Sequence, residues 1–151
     1  MLLTVSALAC RTGPGDRPFS GSDGGRTSPF LAAPQGPADA AVRQALAAAT
    51  SAGKTLLVYE GATWCEPCQR FHHAAADGEL DSTLSGVLFL EFDADRDGSR
   101  LASAGYASTY IPLFAVPNAD GTGSGRQIEG GIKGNGAVAQ LVPRLRRLLG
   151  R

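Results

Sequence analysis

Only three cysteines occur in the 151 residues, Cys10, Cys65 and Cys68. That is too few for a disulfide framework, and too few for a four-cysteine zinc site without histidine. Net charge is also lacking, because fourteen basic residues cancel fourteen acidic ones. No Lys/Arg cluster is interleaved with aromatics, so the composition carries no footprint for nucleic acid. No internal repeat is present. What the chain does have is 43% hydrophobic residues in a length suited to one domain, enough for a single sizeable core.

The opening run "MLLTVSALAC" is apolar or small throughout and ends in Ala9-Cys10. It is too short to span a bilayer and reads as the end of an export signal. It resembles a bacterial lipoprotein signal, which implies a lipidated Cys10 and a chain held on the periplasmic side of a membrane. The alternative is a frayed N-terminus with an incidental cysteine and a cytoplasmic protein. Residues 11–37 are dense in Gly, Pro and Ser and cannot bury enough surface to offset ordering entropy, so they read as a flexible tether. A tether after an anchor would let a domain over residues 38–151 reach partners away from the membrane.

From Ala38 the apolar spacing turns helical, through Val42, Ala45, Leu46 and Ala49, and Gly53 closes the run. "TLLVYE" and "VLFLEF" read as buried strands, "CEPCQRFHHAAA" and "SRLASAGY" as helices, and "LFAVP" and "GRQIEGGI" as two strands joined by a turn. A last helix runs from about Asn135 to Leu149, with Pro143 expected to kink or split it. "FDADRDG" lacks the rest of a calcium loop and reads as a solvated loop.

Chemistry concentrates in "GATWCEPCQRF", where Cys65 and Cys68 stand three apart around Pro67. Spacing alone leaves a metal clip, a staple and a redox pair open. Two thiolates could hold Cu(I) or Zn(II). Cys65 at the first turn of a helix faces unpaired N–H groups and the positive dipole end, which favours thiolate. Cys68 lies one turn further in. Glu66 between them opposes the dipole and should raise the thiol pKa. His72 and His73 are adjacent on the helix, so at most one can approach the sulfurs; both read as solvated surface. Gln69 stands where haem attachment needs a histidine, so no haem is implied.

The element order, "WCEPC" at a strand-to-helix junction and Ile111-Pro112 at 112 − 65 = 47 positions onward resemble the thioredoxin superfamily. The "ALAAATSAGKTLLVY" lead-in is most similar to periplasmic thioredoxin-like domains, such as the C-terminal domain of the thiol:disulfide interchange reductase. The resemblance covers about residues 38–149. It implies a central mixed four-stranded sheet, two parallel strands then an antiparallel hairpin, flanked by helices. It also implies a thiol-disulfide oxidoreductase, more a reductant than an oxidant, with no cofactor beyond the Cys65–Cys68 disulfide and no metal. Cys65 would be the nucleophile and Cys68 the resolving thiol, supported by Trp64, Glu66 and Pro67. Pro112, after a cis bond, would turn the Ile111 backbone toward substrate. Its partners would be protein thiols or disulfides and an upstream redox partner, met as a monomer. One departure stands out: the acid that relatives bury six positions before the first cysteine is here Tyr59, and strand alternation turns the neighbouring Glu60 away.

Overall fold

A computed structural model describes residues 28–151; Cys10, the export signal and most of the tether lie outside the described residues. The described elements are β1 (Phe30–Ala32), α1 (Ala38–Ser51), β2 (Thr55–Gly61), α2 (Glu66–Ala76), β3 (Val87–Asp93), α3 (Ala94–Ser103), β4 (Leu113–Pro117), β5 (Gly123–Glu129) and α4 (Ala137–Leu148). They build one mixed sheet in the order β1-β3-β2-β4-β5. β3 is parallel to β1 and β2, while β4 runs antiparallel to both β2 and β5.

β2 lies at the centre and is buried from Leu56 onward, so its alternate residues feed two cores. Leu57 and Tyr59 join Phe71, Phe89, Phe114, Leu141 and Leu145 beneath α2 and α4. Leu56 and Val58 join Val42, Leu90, Phe92 and Leu101 beneath α1 and α3. Helices thus cover both faces, as a parallel strand pair requires. α1 ends where Gly53 takes φ 66°, and the Lys54 N–H donates back to the Ala49 carbonyl at 2.8 Å. That is the left-handed turn only glycine enters cheaply.

Four expectations need correction. The sheet has five strands rather than four, because Phe30–Ala32, inside the segment read as tether, pairs with the edge of β3. A three-residue strand shows no periodicity; Phe30 is held by tertiary contacts, stacking on Phe89 with ring centroids 5.1 Å apart. "FDADRDG" is not a loop. Asp93 caps α3 by accepting the N–H groups of Asp95 and Arg96, so the helix starts five residues before Ser99. Pro143 does not split α4, which runs through it as one element. The proline is exposed, so the carbonyl it leaves without a donor faces water. Finally, His72 is not solvated surface but half-buried between Phe30 and Glu91.

Candidate functional site

Cys65 is the N-cap of α2, and its Sγ accepts the Cys68 N–H at 3.3 Å. The two cysteines form a disulfide with Sγ atoms 2.04 Å apart. Cys65 is slightly the more exposed, at 5% against 2% for Cys68. When the bond is reduced, the same N–H points at the Cys65 sulfur, together with the positive end of the helix, and both favour its thiolate. Pro67 sits in the first turn of α2, where a missing donor costs nothing.

The surroundings come from three loops. Trp64 is 66% exposed, with its indole Nε1–H donating to Asp95 Oδ2 at 2.9 Å, so the ring is anchored while its face meets solvent. The Ile111–Pro112 peptide bond is cis, and Ile111 packs on the cluster containing Cys65 and Cys68. Among the described residues, no backbone hydrogen bond uses the N–H or C=O of Ile111. Gly131 completes the rim: a Cβ there would fall 3.1 Å from Pro67 Cβ and 3.6 Å from Leu141 Cδ2. Tyr110 and Ile132, exposed at 66% and 51%, flank this loop, since Gly130 abuts Tyr110 and Ile132 adjoins Gly131. These rim residues escape sequence reasoning. The "GG" at Gly130-Gly131 is their only trace, and it reads equally well as a turn.

Glu66 turns away from the sulfurs. Its Oε1 accepts Arg70 Nε–H at 2.8 Å and the Gly134 N–H at 3.1 Å. The Arg70 bond first, then that of Gly134, holds its carboxyl below the usual range. Its charge is therefore partly compensated, and its opposition to the dipole is weaker than the sequence implies.

Tyr59, six positions before Cys65, is fully buried, and its hydroxyl finds no hydrogen-bond partner. Burial first, and the charge of Glu91 second, push its phenol far above the ordinary range. The strand ends in Gly61 because a Cβ there would lie 2.5 Å from the Tyr59 hydroxyl. His72 is half-buried: its imidazole stacks on Phe30 with centroids 3.8 Å apart, and its Nε2 meets Glu91 Oε1 at 2.7 Å. His73 remains exposed.

Glu60 faces the opposite side of the sheet, as alternation requires, and accepts the Ser108 hydroxyl at 2.7 Å. Burial raises its pKa; the Ser108 bond opposes this, and the charges of Asp97 and Asp93 add to it. A carboxyl whose folded pKa is raised supports folding below its unfolded pKa, and that support is lost as pH rises through the folded value. Glu60→Gln, which still accepts from Ser108, should therefore stabilise the fold at pH 7 by roughly 1 kcal/mol and give no gain near pH 4. Urea midpoints at the two pH values check this, and an equal effect at both contradicts it.

The sequence model of a thioredoxin-like family matches residues 38–119. No curated protein matches the chain. Thioredoxin from Trichomonas vaginalis superposes with a TM-score of 0.52 at 21% identity, covering 82% of this chain and 98% of that one. Oxidised thioredoxins O2 and O1 of Arabidopsis thaliana give 0.49 and 0.48 at 20% and 18% identity. Their alignments cover 83% and 80% of this chain, and 96% and 95% of theirs. The first of these shares the fold. With a family match over more than half its length and a Cys-x-x-Cys disulfide at the start of α2, this chain belongs to the thioredoxin-like family, with the thiol-disulfide oxidoreductase chemistry of that pair.

Proposed function

We propose that this oxidoreductase is exported, lipid-anchored through Cys10 on the periplasmic side of a bacterial membrane, and reduces disulfides in exported proteins as a monomer. One observation carries the catalytic part: Cys65 Sγ caps α2 and accepts the Cys68 N–H, beside an exposed apolar rim. In this reading the Cys65 thiolate attacks a substrate disulfide, forming a mixed disulfide and releasing one substrate thiolate. Cys68 then attacks Cys65 Sγ, which releases the second substrate thiolate and closes the Cys65–Cys68 bond. An upstream dithiol partner returns the pair to the reduced state. Trp64, Tyr110 and Ile132 offer apolar surface to substrate, and the backbone of Ile111, before Pro112, pairs with an extended segment.

The direction of transfer rests on Glu66. Its negative charge in the first turn of α2 disfavours the thiolate form that strong oxidants stabilise, and Arg70 weakens that effect without reversing it. The reduction potential of the pair should therefore fall nearer the reducing end of the family's span, below about −200 mV. A value near −120 mV would reverse the direction. The other reading, Cu(I) or Zn(II) held by the two thiolates, leaves coordination open, because among the described residues no group of three or more His, Cys, Asp and Glu side chains is placed to hold a metal ion. Tight one-to-one metal binding without reductase activity would favour it.

The anchor has its own measurement. Cells supplied with labelled fatty acid should incorporate label into the wild-type chain and not into Cys10→Ser. Label surviving the substitution removes Cys10 as the attachment point.

A further inference from the structure

Cys68 must lose a proton before it can attack, and Tyr59, which shares its core cluster, carries no carboxylate to take it. A cleft of about 410 Å³ reaches Cys68 and is also lined by Tyr59, His72 and Glu91. Three features of the fold converge there. His72 follows Cys68 by four residues on α2, so the two share a face, and helical side chains lean toward the N-terminus, which brings the imidazole back over the Cys68 turn. Tyr59 and Glu91 are direct partners in the β2–β3 register, on the face that α2 covers. Phe30 from β1 closes the far side by stacking on the imidazole.

We propose that His72, oriented by Glu91, is the proton acceptor for the Cys68 thiol. The inference rests on the thiol-disulfide reading above. With Nε2–H donating to Glu91 Oε1, the lone pair of Nδ1 is available. In the resolving step the Cys68 S–H proton passes to Nδ1, directly or through one water in the cleft. The freed thiolate forms a bond to Cys65 Sγ, the mixed disulfide breaks, and the substrate sulfur leaves with the electron pair. The imidazolium gives its proton to that sulfur or to solvent, so protons and electrons balance. Glu91 is a positioning residue.

Asp93, Arg96 and His73 line the same cleft, and Lys54 and Asp81 line the adjoining cavity that His72 also borders. Asp93 is committed to capping α3, and Arg96 to Asp97. Glu60 lines a different cleft, which reaches Trp64 and Ile111 but neither cysteine.

The test uses the full chain carrying Cys10→Ser, reduced, and mixed in a stopped-flow cell with dithiobis(nitrobenzoate). Attack by Cys65 releases one coloured thiolate, and attack by Cys68 releases the second. In His72→Gln, which keeps a hydrogen-bond donor for Glu91, the first phase should match the parent. The second should slow about tenfold or more at pH 7, within the range of a lost general base. The deficit should shrink as pH rises, because hydroxide then replaces the imidazole as the proton acceptor. Glu91→Gln should slow the same phase severalfold with the same pH trend, and it reads the inference if His72→Gln fails to fold. His73→Gln should change neither phase. Second phases at the parent rate in both variants, a deficit independent of pH, or slowing in Glu60→Gln alone would each overturn the assignment of His72. Loss of the first phase in the parent protein would instead overturn the redox reading.

Discussion

Cys65→Ser should abolish disulfide reductase turnover, lowering the rate by more than about a thousandfold to background. Cys68→Ser should behave differently, retaining the first attack and accumulating mixed disulfides with its substrates. The asymmetry follows from position. Cys65 caps α2 next to Trp64 and Ile111, whereas Cys68 lies one turn deeper at 2% exposure. A serine hydroxyl at position 65 does not ionise under conditions where a capped thiol does, so no covalent intermediate forms. In Cys68→Ser the intermediate forms but has no internal thiol to resolve it. Reductase assays with excess dithiol measure the first effect, and non-reducing gels of trapped adducts measure the second. Full activity in both variants would defeat the redox reading altogether.

Asp97→Ala should cost about 3–5 kcal/mol, the largest stability loss expected from one polar side chain here. Asp97 is 1% exposed and accepts the Asp93 N–H at 2.9 Å, Arg96 Nε and Nη2 at 3.0 and 2.8 Å, and Arg100 Nε at 3.0 Å. Arg100 Nη1 continues the network to the carbonyls of Pro34 and Gly36 at 2.9 and 2.8 Å, which ties α3 to the segment before α1. Truncation leaves Arg100 Nε, on a partly buried guanidinium, and the Asp93 N–H without their acceptor. Burial alone would raise the Asp97 pKa. Hydrogen bonds from Arg96, the Asp93 N–H and Arg100 outweigh it and push the value down to about 2. A depressed carboxyl pKa gives stability that is present above the unfolded value, about 3.9, and lost as pH falls through the folded one. Asp97→Asn should therefore be less stable than wild type at pH 7, and the gap should close between about pH 4 and pH 2. Equal denaturant midpoints at pH 7 would contradict the network's role.

The two buried acids show why local pattern was only half a guide. Strand alternation placed Glu60 on the face away from the sulfurs, and it lies there. Asp97, in "FDADRDG", looked like loop because alternating acids and a glycine carry no apolar period. It became helix once Asp93 capped the turn and two arginines surrounded the carboxylate. His72 looked like solvated helix for a similar reason: its neighbours Phe30 and Glu91 come from β1 and β3, and nothing on α2 announces them. Pro143 does not split α4, because packing of Leu141, Leu145 and Leu148 on the core holds the helix through it.

By itself the sequence determined the alternation of helices and strands and the placing of Cys65 and Cys68 at a strand-to-helix junction. Apolar period and the "WCEPC" junction are local and survive without knowledge of any distant residue. Tertiary structure alone decided the fifth strand at Phe30–Ala32, the rim at Tyr110, Gly131 and Ile132, and the cleft joining Cys68 to His72 and Glu91. Each depends on residues far apart in the chain, and their contacts arise only when β1, β2 and β3 pair in register and α2 lies across them. A three-residue strand, a glycine beside a proline and a histidine over a phenylalanine have no local energy large enough to appear as pattern; closure of the sheet supplies it.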